Sequence, residues 1–269
     1  MQKPTANIDF LTQEPAEHYH AQSKHYLGSH ALADFRRSPL LYHRKKAGFI
    51  QDEDRPAYLV GRAAHVLILE GRAAFEEQFA IGGPVNPKTG SLYGSRTKAF
   101  ADWATAQGKP VLTDDQLILV QEMHAGIHRN AYASELLATG QAEGVVRAEY
   151  CGLPCQIRLD WFNPQVGIVD LKTCDDLTWF EPDARRYGYI HQLAFYRSVL
   201  QLVTPQFVSV FLIAVEKKEP FRCGVWRIGD DILGIAKCEN EQAMARIKQC
   251  QSHDCWPTGY EEMRSFDSL

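Results

Sequence analysis

Gln156-Ile157-Arg158-Leu159-Asp160-Trp161-Phe162, then Asn163-Pro164-Gln165, then Val166-Gly167-Ile168-Val169-Asp170-Leu171-Lys172-Thr173, is the stretch whose reading decides the fold. Two alternating runs flank a turn signal, which is the pattern of a β-hairpin. Centred near Gln165, the hairpin sets Asp160 directly opposite Asp170 and Arg158 opposite Lys172. Side chains alternate with period 2, so Asp160, Asp170 and Lys172 share one face. Like charges directly opposite one another destabilise a sheet. Two carboxylates so placed call for a cation between them, and a hard, oxygen-seeking divalent metal suits the position.

Outward from the hairpin, strands are expected over 143–151, 154–162 and 166–173, a meander whose last two members are the hairpin itself. Residues 178–202 read as helix, broken near Gly188. The continuous apolar run 207–215 suits a strand buried on both faces. Another strand over 220–228 and a closing helix over 230–250 follow. Upstream the chain reads as helical: 29–35 behind Ser29, a second helix opened by Ser38-Pro39 and stopped at Gly48, a largely apolar one over 56–70, and two more near 95–107 and 114–138. A Gly- and Pro-bearing loop fills 82–94. This order implies an α/β fold, a central mixed β-sheet flanked by helices with a mainly helical N-terminal elaboration. With 269 residues and 45% hydrophobic content, one domain is expected over 1–269. It would comprise a helical part (1–140), the core sheet and helices (141–250) and a C-terminal tail (251–269).

A formal net charge of -4 excludes a generally basic nucleic-acid coat protein, whose affinity rests on a wide positive surface. Any contact with DNA must be local. The N-terminal residues lack the apolar core of a secretion signal, and no run of about 18 apolar residues occurs, so a cytoplasmic protein without membrane contact is expected. Seven cysteines without a Cys-x-x-Cys read as reduced thiols. The spacing of Cys250 and Cys255 is a weak signal for an iron–sulfur site.

His65 lies on the apolar helix, where a histidine taken alone is ordinarily a hydrogen-bonded core residue. Beside a carboxylate pair it becomes a nitrogen ligand acceptable to Mn²⁺. Lys172 cannot ligate a metal while charged; it either polarises a water and steadies a phosphate, or makes a salt bridge to the aspartates. Arg185, Tyr189, Gln192 and Tyr196, spaced four, three and four apart, form one polar stripe on the following helix.

These residues in this order resemble the PD-(D/E)XK nucleases, in particular their RecB-like branch and within it the RecE-type exodeoxyribonucleases. The similar segments are Tyr19-His20-Ala21, 29–39, Gly61-x-x-x-His65, Cys155-x-x-Arg158-x-Asp160, Val169-Asp170-Leu171-Lys172-Thr173, His191-Gln192-x-Ala194-Phe195-Tyr196 and Trp256-Pro257. A lone Asp…Asp-x-Lys is a weak signal, but the ordered set reaches from about residue 19 to 257. Asp170 stands where many relatives have Glu.

The resemblance implies a PD-(D/E)XK core and a catalytic set of Asp160, Asp170, Lys172, His65, Gln192 and Tyr196. The metal ligands would be His65, Asp160, Asp170 and the Leu171 carbonyl, holding Mg²⁺ or Mn²⁺, two ions to a site. It further implies 5′ to 3′ digestion of double-stranded DNA ends, leaving 3′ overhangs for recombination and repair by strand annealing. A RecT-like single-strand annealing protein would be the partner, and a homo-oligomer, a tetrameric ring foremost, the assembly. Ser29, Arg36, Arg37, Arg44, Lys45, Arg158, Arg185 and Arg186 are the candidate DNA contacts, Ser29 for a terminal 5′-phosphate. The competing readings are a RecB-like endonuclease or single-strand nuclease, and a catalytically inactive module that only binds DNA.

Overall fold

The computed structural model describes residues 8–51 and 56–265. Short helices open the chain: α1 (Ala16–Ala21), α2 (Ser29–Arg37) and α3 (Pro39–Lys46). Gly28, rather than Ser29, is the N-cap of α2. The Ser38 hydroxyl accepts from the Leu41 N–H, with Pro39 at the first helical position, where its missing donor costs nothing. Next come α4 (Pro56–His65), α5 (Arg72–Gln78), the two-residue strand β1 (Ala80–Ile81), α6 (Lys98–Ala106) and β2 (Val111–Leu112), which pairs parallel with β1. The expected single helix over 114–138 is two, α7 (Asp114–Arg129) and α8 (Ala131–Leu136), because Asn130 adopts an extended backbone and its side chain caps Ala133.

Five strands make the main sheet: β3 (Gln141–Tyr150), β4 (Leu153–Asn163), β5 (Gly167–Cys174), β6 (Ser209–Glu216) and β7 (Cys223–Arg227), in the order β3-β4-β5-β6-β7. Between β5 and β6 lie α9 (Phe180–Arg186) and α10 (Tyr189–Leu200), and α11 (Asp230–His253) follows β7. Cys151 and Gly152, at φ +52° and +73°, form the two-residue turn between β3 and β4; two positive φ values match the right-handed twist of the strands. The β5–β6 pair is parallel and the other neighbours are antiparallel, so the sheet is mixed, as expected.

One side of the sheet packs Ile157, Leu159, Ile168, Val210 and Leu212 against α2, α10 and α11. The other packs Trp161, Val169, Leu171, Ile213 and Val215 against α4, α7 and α8. The hairpin register is the one the sequence indicates, with Trp161 facing Val169, Phe162 facing Ile168 and Asn163 facing Gly167. It does not continue. Beyond Trp161 and Val169 the strands part, so Asp160 is not paired with Asp170 and Arg158 is not opposite Lys172; the partner of Arg158 is Val145 on β3.

Gly167 opens β5 at φ +134°, and a Cβ there would stand 2.2 Å from the Ser209 carbonyl oxygen. Gly167→Ala is therefore expected to destabilise by about 2–3 kcal/mol, read as a lower thermal midpoint. Gly234, exposed within α11 with nothing within 4 Å of an added Cβ, is the control. Gly234→Ala should stabilise by up to about 1 kcal/mol, and equal melting shifts for the two variants would refute the argument.

Candidate active site

The site occupies the fork where β4 and β5 part. Asp160 lies in the gap, and its Oδ2 accepts a hydrogen bond from the Leu171 N–H at 2.8 Å, replacing a ladder bond that the divergence removes. Asp170, one residue before Leu171, is 1% exposed. Its Oδ1 accepts from Gln192 Nε2 at 3.3 Å, and its Oδ2 is 2.5 Å from Lys172 Nζ. Gln192 Nε2 also donates to the Tyr196 hydroxyl at 2.9 Å. Lys172 lies over the Tyr189 ring, 5.0 Å from its centroid. Tyr189, Gln192 and Tyr196 thus present one face of α10 to the end of β5, as residues spaced three and four apart must. Arg185 does not join them. Gly188, at φ +73°, ends α9 and turns the chain, leaving Arg185 exposed and 3.7 Å from Glu181.

His65 enters from the other layer. Gly61, one turn earlier on α4, faces Thr173, whose Oγ1 is 3.6 Å from where a Cβ would be, so this helix face lies along β5. The imidazole lies against the Leu171 backbone, and its Nδ1 is 3.7 Å from Asp160 Oδ2. At His65 the α-helix gives way to a π-helical turn, Val66–Glu70, which closes with the Gly71 N–H on the Val66 carbonyl at 3.0 Å. Helical turns of this kind often mark functional positions.

Glu143 is the member of the site that sequence reasoning missed. Its backbone is at φ +57°, and the β3–β4 ladder skips Glu143 and Asp160 although the pairs on both sides keep one register. The two carboxylates therefore stand across from each other. A ring nitrogen of His65 and a carboxylate oxygen from each of Glu143 and Asp160 all lie within 4.8 Å of one another. Drawn closer together, these three could hold one divalent ion. Asp170, bound to Lys172 and Gln192, is outside that trio but adjoins it. The donor set, carboxylates with one imidazole, suits Mg²⁺ or Mn²⁺.

Burial and mutual repulsion set the protonation of the site. Burial first, then the neighbouring Asp160, pushes Glu143 up to about 8. Burial pushes Asp170 up to about 6 despite the counter-pull of Lys172, and Asp160 is raised as well. Burial brings His65 down to about 4, which keeps the imidazole neutral and able to ligate. Burial also opposes the charge on Lys172, yet Asp170 and Asp160 outweigh it and hold the ammonium protonated.

An acid raised on folding contributes stability that is complete below its unfolded value and is lost as pH rises through its folded value. Between pH 6.5 and 8.5 the cation-free protein should therefore melt at progressively lower temperature. That fall should be smaller for Glu143→Gln, and Mg²⁺ should offset it in the parent. Identical pH slopes for the two proteins would show that Glu143 does not titrate there.

The other expected DNA contacts are dispersed. Ser29 is buried beside Tyr196, so it supports α10 from within. Arg36 bonds Asn240, Lys45 is 3.0 Å from Asp34, Arg158 Nε is 2.9 Å from Glu143 Oε2, and Arg186 lies over the Tyr187 ring. Arg37 and Arg44 are exposed. Cys250 and Cys255, like the other cysteines, are free thiols. A cavity of about 1300 Å³ opens beside the fork, lined by Glu70, Arg72, Gln121, His128, Gln141 and Trp161 among others.

A mixed sheet with helices on both faces, and an acidic fork between two of its central strands, is the PD-(D/E)XK type of fold. The chain belongs to the family described as PDDEXK-like domain of unknown function (DUF3799), whose model matches residues 29–268. No curated protein matches it. Among solved structures it is similar to a protein of Eubacterium rectale described as a "Putative exonuclease", with a TM-score of 0.68 and 21% identity over 96% of this chain and 97% of that one. At that identity the likeness shows the fold. No helix among the described residues is long and apolar enough to cross a membrane.

Proposed function

We propose that this protein is a divalent-metal-dependent exodeoxyribonuclease that digests one strand of duplex DNA from its 5′ end. The observation that carries this reading is the convergence of Asp160, Asp170, Lys172 and His65 on one fork, with Gln192 and Tyr196 behind Asp170. His65, Asp160 and Glu143 would hold one Mg²⁺ or Mn²⁺, and Asp170 beside them would serve a second. The cation supplies positive charge at the phosphate and eases deprotonation of a water. Lys172, steered by Asp170, would orient the attacking water and balance charge that develops on the phosphate. Gln192 fixes the Asp170 carboxylate and would itself be held by Tyr196.

Such hydrolysis leaves a 5′-phosphate product and, on a duplex, a 3′ overhang fit for strand annealing. A RecT-like annealing partner and a ring-shaped homo-oligomer, a tetramer foremost, complete the proposal. The retention of every chemical group in the fork supports an enzyme over an inactive binding module. Linear duplex labelled at either 5′ or 3′ ends tests it. With Mg²⁺, the 5′ label should be released first and EDTA should stop release; equal attack on closed circles would refute an exonuclease.

A further inference from the structure

Arg158 and Glu143 are joined across the β3–β4 pair, Nε to Oε2 at 2.9 Å, with side chains 21% and 15% exposed. The same carboxylate belongs to the trio with His65 and Asp160. A carboxylate drawn toward a divalent ion holds a guanidinium less firmly, because both draw on the same electron density. Other cations nearby are held by groups outside that trio: Lys172 by Asp170, Arg147 by Glu14, Lys45 by Asp34 and Arg36 by Asn240. Arg158 differs, since its partner is itself placed to bind metal. A guanidinium is also the side chain best matched to phosphate, through paired parallel donors.

Resting on the nuclease reading, we propose that Glu143 is an exchangeable carboxylate. It holds Arg158 while the cation is absent, and it turns to a cation shared with His65 and Asp160 when one binds. Arg158 is thereby released to a phosphate of the DNA strand. Cation binding and DNA binding are then coupled through the Arg158–Glu143 contact, and each strengthens the other to the same degree. Left-handed backbone at Glu143 places this carboxylate between its two partners at the point where the ladder is interrupted.

Mn²⁺ titration of the full chain, followed by the paramagnetic signal of free ion, tests this with the parent, Glu143→Gln, Arg158→Gln and the double variant. Glu143→Gln should weaken Mn²⁺ binding about 10–100-fold. Arg158→Gln should tighten it several-fold in the parent but leave it unchanged where Glu143 is already Gln, since the competition then no longer exists. Mn²⁺ should also raise affinity for a cleavage-resistant phosphorothioate duplex in the parent and much less in Arg158→Gln.

Unchanged Mn²⁺ affinity in Glu143→Gln, or an equal effect of Arg158→Gln in both backgrounds, overturns the proposal while leaving the nuclease reading intact. A parent that binds no Mn²⁺ overturns both. Should Glu143→Gln fail to fold, Glu143→Asp keeps the charge but shortens the reach by one methylene. It should show weakened Mn²⁺ binding, and parental affinity would count against the proposal.

Discussion

Asp160→Asn is expected to lower phosphodiester cleavage by at least about 10³-fold while leaving the protein folded and no less stable. The two halves of this expectation have separate causes. Asp160 stands between His65 and Glu143 and faces Asp170 across the fork, so it is common to every arrangement in which the site holds a divalent ion. An amide at this position is a poor ligand and carries no charge. The fold, by contrast, uses Asp160 only as the acceptor for the Leu171 N–H, a role the Asn carbonyl oxygen can fill. Losing one of three crowded, half-desolvated carboxylates relieves repulsion, so the thermal midpoint in EDTA should match or exceed that of the parent. Stability given up for function in this way is common at catalytic sites. Parental cleavage by Asp160→Asn would show that the site is wrongly assigned.

Lys172→Met carries the second large effect, a loss of about 10²–10³-fold, and its cause is different. Lys172 ligates nothing; its ammonium is drawn to Asp170 Oδ2 and lies over the Tyr189 ring. The variant should therefore keep Mn²⁺ affinity, or gain some once a neighbouring positive charge is gone. Cleavage alone should fall. Removing this ammonium also leaves the buried Asp170 without its counter-ion, so in the absence of metal the thermal midpoint should drop, and more at pH 8 than at pH 5. A variant that lost cation binding and cleavage in equal measure would instead place Lys172 in the structural support of the cation site.

Much of this site is legible in the sequence. Turn residues around Gln165 and the alternation on both sides of them give the register in which Trp161 faces Val169. That register points to Asp160, Asp170 and Lys172, although the strands part before Asp160 pairs with Asp170. Helix periodicity puts Gln192 and Tyr196 on one face of α10, and Gly188 signals where that helix begins.

Glu143 escaped because it is a single acid in a strand whose pairing partner had not been fixed. Its signal was available in Cys151-Gly152: a two-residue turn there sets Tyr150 opposite Leu153, and the same register carried back brings Glu143 opposite Asp160. What no local pattern encodes is the parting of β4 and β5 just where the acids stand. That divergence moved Arg158 away from Lys172 and gave it to Glu143. Nor does the change from α- to π-helix after His65 have a marker in an apolar run such as Val66-Leu67-Ile68-Leu69. Basic residues were the least legible, since charge alone does not show that Arg36 and Lys45 are already engaged by Asn240 and Asp34.

The central claim is that acidic side chains in the β4–β5 fork trap a divalent ion beside a lysine. Anomalous scattering from a crystal grown with Mn²⁺ tests it most directly. A peak is expected within about 2.0–2.3 Å of an Asp160 carboxylate oxygen, in reach of His65 and Glu143 or of Asp170. A crystal saturated with Mn²⁺ that shows no peak in the fork, or a peak only at surface carboxylates, would contradict it.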